Sequence, residues 1–475
     1  MLAPLDYAVI TVYLAAITAF GSWFARYQHT TTDYFLSGHT VPWWAVCCTV
    51  VATETSTLTF IGIPATAYAG NMAFLQLAIG YVIGRVLVSV LFIPAYFRGE
   101  LVTSYELLQR RFGRRVTGLS AGLFLVTRSL ADGVRLFATA LVIGIVTGVP
   151  TVWATLVVGV IMIVYTVRGG VAAVIWTDVV QMFVYVAGAT AVAVQLLAVI
   201  PGGWDEVVRA GSAAGKFAVW DLSTNPATIY TLWTGLFGGV ALTLATHGTD
   251  QFLVQRLLAA TSARAAATGL VLSGVIVFAQ FTLFLCIGVM LFTFYQHVPL
   301  PAPLGRTDEV LPLFIATELP SGLAGFIVAA IVAAALSPSM NAMAATTVND
   351  FYKPYARVVP DDARLLRLSR QATIGWGIVQ LGVALGAQFM ERSVLDAGLA
   401  VLSFASGAVL GAFVIATLMP HVREPEALAG MGVGLATMSA VWAFTPLAWT
   451  WYVFVGALAT CGTAALLSAA RREPA

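Results

Sequence analysis

The chain is short of charge. Only 10% of its 475 residues are Asp, Glu, Lys or Arg, against 59% hydrophobic. A soluble domain carries about 25% charged residues, so there is too little polar surface here to cover a water-facing fold. The net charge is only +2, which leaves no basic footprint for nucleic acid. Cysteine is scarce too: Cys47, Cys48, Cys286 and Cys461 sit in apolar runs without metal-ligand spacing, which excludes a disulfide framework and a zinc site. The five histidines (His29, His39, His247, His297 and His421) are scattered, so no nucleophile–base pair or metal cluster marks an enzyme. No low-complexity segment, separable soluble domain or obligate protein partner is legible. The first apolar run, Leu5 to Phe24, is too long for a cleavable leader and has no basic region before it.

What is present is apolar sequence in lengths that cross a bilayer, about 20 residues each. Thirteen such spans are predicted, at roughly 5–25, 41–69, 72–97, 117–147, 151–167, 173–200, 229–258, 265–296, 321–346, 368–389, 396–419, 424–445 and 447–470. The helical period fits these runs better than the alternation of outer-membrane strands. The expected fold is therefore an all-α integral membrane protein. Lys and Arg are retained on the cytoplasmic side. With the N-terminus outside, 17 of the 24 fall in cytoplasmic segments, four fall outside, and Arg85, Arg128 and Arg135 lie within spans. This split predicts a multi-pass protein of the plasma (inner) membrane with its C-terminus in the cytoplasm.

Function in such a protein is expected where a helix breaks bilayer rules. In the second span, residues 51–64 place Glu54 among the hydroxyls of Thr53, Thr55, Ser56, Thr57 and Thr59, followed by Gly62 and Pro64. Proline removes a backbone donor and glycine weakens a helix. A helix broken there exposes carbonyls that can replace a cation's water shell. The seventh span repeats the theme with Gly235, Gly238 and Gly239, then Thr243, Thr246, His247, Gly248, Thr249 and Asp250. Each of these two spans begins a set of five, the pattern of an inverted-repeat transporter. In the fourth span Arg128, Asp132 and Arg135 share one helical face. They form either a structural ion pair or a cluster that leaves Arg135 able to recognise a carboxylate.

Four motifs then become recognisable: Thr32-Asp33-Tyr34-Phe35-Leu36-Ser37-Gly38 with Pro42-Trp43-Trp44; Thr103-Ser104-Tyr105-Glu106 with Arg111-Phe112-Gly113; Tyr165-Thr166-Val167-Arg168-Gly169-Gly170 leading to Trp176-Thr177-Asp178; and Gly248-Thr249-Asp250-Gln251 with Val254-Gln255-Arg256. In this order the chain resembles the sodium/solute symporter family, which includes bacterial proline, sialic acid and galactose carriers and the animal sodium–glucose and iodide carriers. The resemblance implies a leucine-transporter-type core of two inverted five-helix repeats. The expected division is 1–40 for an extra helix and loop, 41–200 and 201–420 for the repeats, and 421–475 for two C-terminal helices.

It also implies a sodium ion between the broken helix and the eighth core helix. Backbone oxygens of Ala52 and Thr55 match the first half of that site. The second half has two registers: Ala334 with Ser337 and Pro338, or a register three residues shifted that puts Ala334 and Ala335 at the hydroxyl pair, with Ser339 as a substitute hydroxyl. Asp178 matches a position near a second cation site or the inward exit route; its other reading is an interfacial helix cap. Glu54 falls where proline carriers have an essential aspartate. Candidate substrate contacts are Glu54, Thr57, Thr59, Phe60, Thr246, His247 and Arg135, with Gln380 from the tenth span. The expected function is sodium-coupled symport of a small organic solute, tilted towards a carboxylate or amino acid, by alternating access. The rival is the same fold run on protons, with Glu54 as carrier, or run as a uniporter. The partners expected are the solute and the lipid bilayer.

Overall fold

The computed structural model describes residues 3–24, 30–99, 101–300, 303–335, 339–356, 361–389 and 394–472. These residues are almost wholly helical, as lipid requires of a backbone that must satisfy its own polar groups. The one bridge among them joins Val41 to Ala260. Among the described residues, fifteen of the helices carry the argument. They are α1 (Pro4–Trp23), α2 (Trp43–Glu54), α3 (Thr57–Ala69), α4 (Phe74–Leu91), α5 (Arg114–Thr147), α6 (Thr151–Val199), α7 (Val240–Gly248), α8 (Gln251–Leu258), α9 (Ala263–His297), α10 (Leu323–Ala335), α11 (Met340–Thr346), α12 (Asp362–Ala387), α13 (Val394–Leu418), α14 (Glu424–Phe444) and α15 (Tyr452–Arg472).

Among the described residues, eight helices are long and apolar enough to cross a membrane, and the bent pair α2–α3 makes a ninth. The other predicted spans are shorter, interrupted or more polar, so length and apolarity alone do not reach thirteen. Burial sorts the helices into layers. Every residue of α2 from Ala45 to Thr53 is buried, and so is α3 from Thr57 to Ala65. By contrast α14 and α15 present Trp442, Phe444 and Leu466 outward. The pair α2–α3 is the axis, wrapped by α9, α5, α6 and α13.

The second span is broken within the expected stretch 51–64, among its hydroxyls and about two turns before Pro64. Thr55 (φ −81°, ψ 67°) and Ser56 (φ −82°, ψ 175°) leave the helical region, and the chain bends by 61° between α2 and α3. Pro64 lies inside α3. The cause is the run of Thr and Ser, whose side chains compete for backbone partners: the Thr59 hydroxyl donates to the Glu54 carbonyl at 2.7 Å. The seventh span breaks likewise. A π-helical turn over Thr234–Gly239 runs into α7, and Thr249 (φ −130°, ψ −23°) separates α7 from α8. In α6, Gly170 takes φ 60°, ψ −173°. Side chains exclude that region, which explains the second glycine of the Arg168-Gly169-Gly170 motif. Gly80 and Gly235 let α4 meet the π-turn: a Cβ on Gly80 would lie 2.0 Å from the Gly235 carbonyl oxygen.

Candidate functional site

The break between α2 and α3 frees carbonyls. Across it the backbone bonds run from Thr55 N–H to Val51 and from Phe60 N–H to Ser56. The carbonyls of Ala52 and Thr55 therefore receive no backbone donor among the described residues. Such oxygens suit a weakly hydrated monovalent cation. The Thr57 hydroxyl sits 2.8 Å from the Thr139 hydroxyl and donates to the Ile331 carbonyl at 3.0 Å, tying the broken helix to α10. Ala334 lies one turn further along α10. Ser337 lies outside the described residues. Ser339 turns elsewhere: its hydroxyl donates to Asp132 and accepts from the Gln380 amide at 3.2 Å. As a stand-in sodium hydroxyl it is thus already engaged.

A cavity of about 110 Å³ opens beside the break. Its walls include Thr53, Glu54, Ser56 and Thr59 from the broken helix, Tyr81 from α4, Arg128 and Arg135 from α5, Thr243, Thr246 and His247 from α7, and Phe252 from α8. Five of the predicted substrate residues meet here: Glu54, Thr59, Thr246, His247 and Arg135. Three do not. Thr57 faces α10, Phe60 packs edge-on to Phe284 with ring centroids 5.2 Å apart, and Gln380 is fully buried behind Ser339. All three belong to elements that line the cavity or support it, but the helical phase turns them away.

Glu54 is not alone. Its Oε2 accepts from the guanidinium of Arg85 on α4, a side chain with no solvent exposure. The same guanidinium stands 3.4 Å from His247 Nε2. A guanidinium only donates, so Nε2 accepts and the ring proton lies on Nδ1. Nδ1 is 2.9 Å from the Thr246 hydroxyl, which itself donates to the Leu242 carbonyl at 2.9 Å. His247 is therefore neutral with both nitrogens committed. Neither ring nitrogen is left free to donate to a substrate.

The fourth-span cluster is wired across helices. Arg128 pairs with Asp250, the N-cap of α8, whose Oδ1 accepts from Phe252 N–H at 2.9 Å. Asp132 lies 3.6 Å from Arg128 and 3.8 Å from Arg135. Arg135 thus has only a loose acidic neighbour, and 15% of its side chain is exposed at the cavity. The guanidiniums of Arg256, Arg128 and Arg135 all stand over the Phe252 ring, at 4.4, 4.7 and 5.8 Å. An aromatic face attracts cations, so this one ring gathers three.

Asp178 is fully buried within α6, which corrects its reading as an interfacial cap. Its Oδ2 accepts from the Thr49 hydroxyl at 2.6 Å and from Arg256 at 3.1 Å. Sequence reasoning missed Arg85, the Asp250–Arg128 bond, Phe252 and the Thr49–Arg256 contact. Their only advance signal was charge inside an apolar span.

Comparison with known proteins places the chain in a family. The family model described as the sodium:solute symporter family matches residues 34–434. The human sodium/iodide cotransporter is 32% identical over 444 residues, covering 91% of this chain and 68% of that protein. The sodium/sialic acid symporter SiaT of Proteus mirabilis is 30% identical over 469 residues, covering 96% of this chain and 92% of that one. The solved substrate-bound, outward-open structure of a Na+-coupled sialic acid symporter superposes with a TM-score of 0.92 at 27% identity, over 98% of each chain. At 15% identity and a TM-score of 0.60, a nucleobase-cation-symport-1 transporter, Mhp1, shares the fold. With its helix-breaking core and its match over most of its length, the chain belongs to the sodium:solute symporter family: it is a membrane transporter and not an enzyme, and sodium is its coupling ion.

Proposed function

We propose that the protein carries a small organic carboxylate across the membrane together with sodium, by alternating access. The observation that carries this reading is Arg135, which faces the cavity with its nearest acid 3.8 Å away. Charge balance supports it. Around the cavity Arg85, Arg128 and Arg135 are matched by Glu54, Asp132 and Asp250, and His247 is neutral. An uncompensated charge at bilayer depth costs several kcal/mol. Sodium entering this neutral set is offset best by a monoanion. Relatives named as monocarboxylate and sialic acid carriers are consistent with that class.

Sodium would rest on the carbonyls of Ala52 and Thr55, beside the Thr57 hydroxyl that reaches the Ile331 carbonyl of α10. The two five-helix repeats, 41–200 and 201–420, would move against each other around it. The distribution of Lys and Arg supports an external N-terminus and a cytoplasmic C-terminus. A proton carried by Glu54 is less well supported, because protonation would strip fully buried Arg85 of its counter-ion. Uptake into proteoliposomes under separately imposed sodium and proton gradients tests the reading. Short carboxylates should accumulate only with inward sodium, and Arg135→Gln should abolish this. Accumulation on a proton gradient alone would refute sodium coupling.

A further inference from the structure

Helix α1 turns little of itself inward. Only Asp6, Ile17 and Gly21 of its residues are buried, and Asp6 is the one charged residue in the helix. A carboxylate is costly to bury unless it is paired or hydrogen-bonded, yet Asp6 is 2% exposed. Among the described residues its hydrogen bonds all come from backbone N–H groups. Oδ2 accepts from Ala3 N–H at 2.9 Å, which caps α1 itself. Oδ1 accepts from Gly322 N–H at 2.6 Å and from Gly325 N–H at 2.8 Å. These belong to the start of α10, where N–H groups find no carbonyl within their own helix. One carboxylate thus caps two helices, with its charge at the positive end of the α10 dipole. The backbones touch as well: a Cβ on Gly325 would lie 2.5 Å from the Asp6 Cα.

Helix α10 is also the one that the broken span leans on. Its Ile331 carbonyl accepts from the hydroxyl of Thr57, the first residue of α3, and Ile327 and Ile331 have no solvent exposure. From Gly325 to Ile331 is about 9 Å along the helix axis, so what seats the first turn also seats the contact with Thr57. From this we infer that Asp6 is a positioning residue for sodium coupling. By pinning the first turn of α10 it holds that helix against Thr57, beside the carbonyls of Ala52 and Thr55. The inference rests on the sodium placement given above and extends it to α1, which precedes the two proposed repeats. Asp6 touches neither ion nor solute. It acts on the fraction of protein in which α10 is seated, and an ion that binds only the seated form shows an affinity reduced by that fraction.

The test reads equilibrium binding of radioactive sodium to the purified full-length protein, with choline keeping the ionic strength constant, and thermal unfolding in choline alone. Asp6→Ala should raise the half-saturating sodium concentration by about 10-fold, the effect of leaving about a tenth of the protein seated. Asp6→Asn keeps one oxygen for the α10 N–H groups and should stay within about 3-fold of wild type. Gly325→Ala pushes α1 off α10 with the carboxylate intact and should also weaken sodium by about 10-fold. It carries the test if Asp6→Ala yields no monodisperse protein. Gly430→Ala crowds the Thr460 carbonyl at 2.5 Å, between α14 and α15, and controls for instability alone. It should lower the unfolding temperature and leave sodium binding within about 2-fold. Thr57→Val cuts the tie to Ile331, probes the sodium placement itself and should weaken sodium. If Thr57→Val weakens sodium while Asp6→Ala and Gly325→Ala lower only the unfolding temperature, Asp6 is a structural cap. The inference is then overturned and the sodium placement stands. If none of the three moves sodium affinity, α10 does not hold the ion, and placement and inference fall together. A loss in Gly430→Ala equal to that in Asp6→Ala also overturns the inference, because instability would then suffice.

Discussion

Asp250 does two jobs that two substitutions can separate. One oxygen caps α8 through Phe252 N–H at 2.9 Å, and the other pairs with Arg128, of which only 3% is exposed. Asp250→Asn keeps an oxygen for the cap and removes the charge. Breaking a buried pair by removing one partner costs about 3–5 kcal/mol. Asp132 still lies 3.6 Å from Arg128, so the lower end, about 3 kcal/mol, is expected. Asp250→Ala loses the cap as well, adding about 1 kcal/mol. Putting Arg128→Met onto Asp250→Asn removes the stranded cation while keeping volume, and should recover most of the loss, to within about 1.5 kcal/mol of wild type. Asp132 keeps Arg135 and Ser339 in that background. Unfolding in mixed micelles with increasing denaturing detergent, followed by far-UV circular dichroism, reads these differences. The ion-pair argument fails if Asp250→Asn is as stable as wild type. It fails equally if adding Arg128→Met makes matters worse.

Three further outcomes are expected. Phe252→Leu removes the ring beneath three guanidiniums and should destabilise the protein by at least about 2 kcal/mol, more than its lost apolar area accounts for, by the same unfolding assay. Gly80→Ala pushes a methyl to 2.0 Å from the Gly235 carbonyl oxygen and should cost about 1–3 kcal/mol by forcing α4 away from the π-turn, whereas Gly118→Ala, with open space around it, should be near neutral. Outside the membrane, hydrogen bonds from Arg209 and His297 hold the Glu206 carboxyl down at about 2. Its native value lies below the ordinary glutamate value of about 4.3. The stability it lends is therefore present above the ordinary value and lost as pH falls through the depressed one. Hydrogen exchange over 203–213 should rise as pH drops from 4 towards 2, and His297→Gln should move that rise to higher pH.

The strongest sequence signals concerned single helices. Glu54 with five hydroxyls in a short stretch announced a broken span because local competition for backbone partners acts within a few residues, and the break lies at Thr55 and Ser56. Pro64, read together with Gly62 as a weakness of the same span, lies inside α3. The same locality gave the shared face of Arg128, Asp132 and Arg135. It did not reveal that Arg128 turns to Asp250, 122 residues away. Nor did it reveal that Glu54 finds Arg85 on the neighbouring α4. Thr57, Phe60 and Gln380 were sensible cavity candidates by proximity in sequence, and helical phase points them elsewhere.

Composition and local chemistry by themselves thus determined that the chain is a helical membrane protein with its site at a broken helix, because hydropathy and backbone competition are short-range. Which charges pair, which hydroxyls are already spent and which side of a helix meets the cavity were decided only by tertiary packing. An ion pair at bilayer depth depends on which helices are neighbours, and no spacing along the chain encodes that directly.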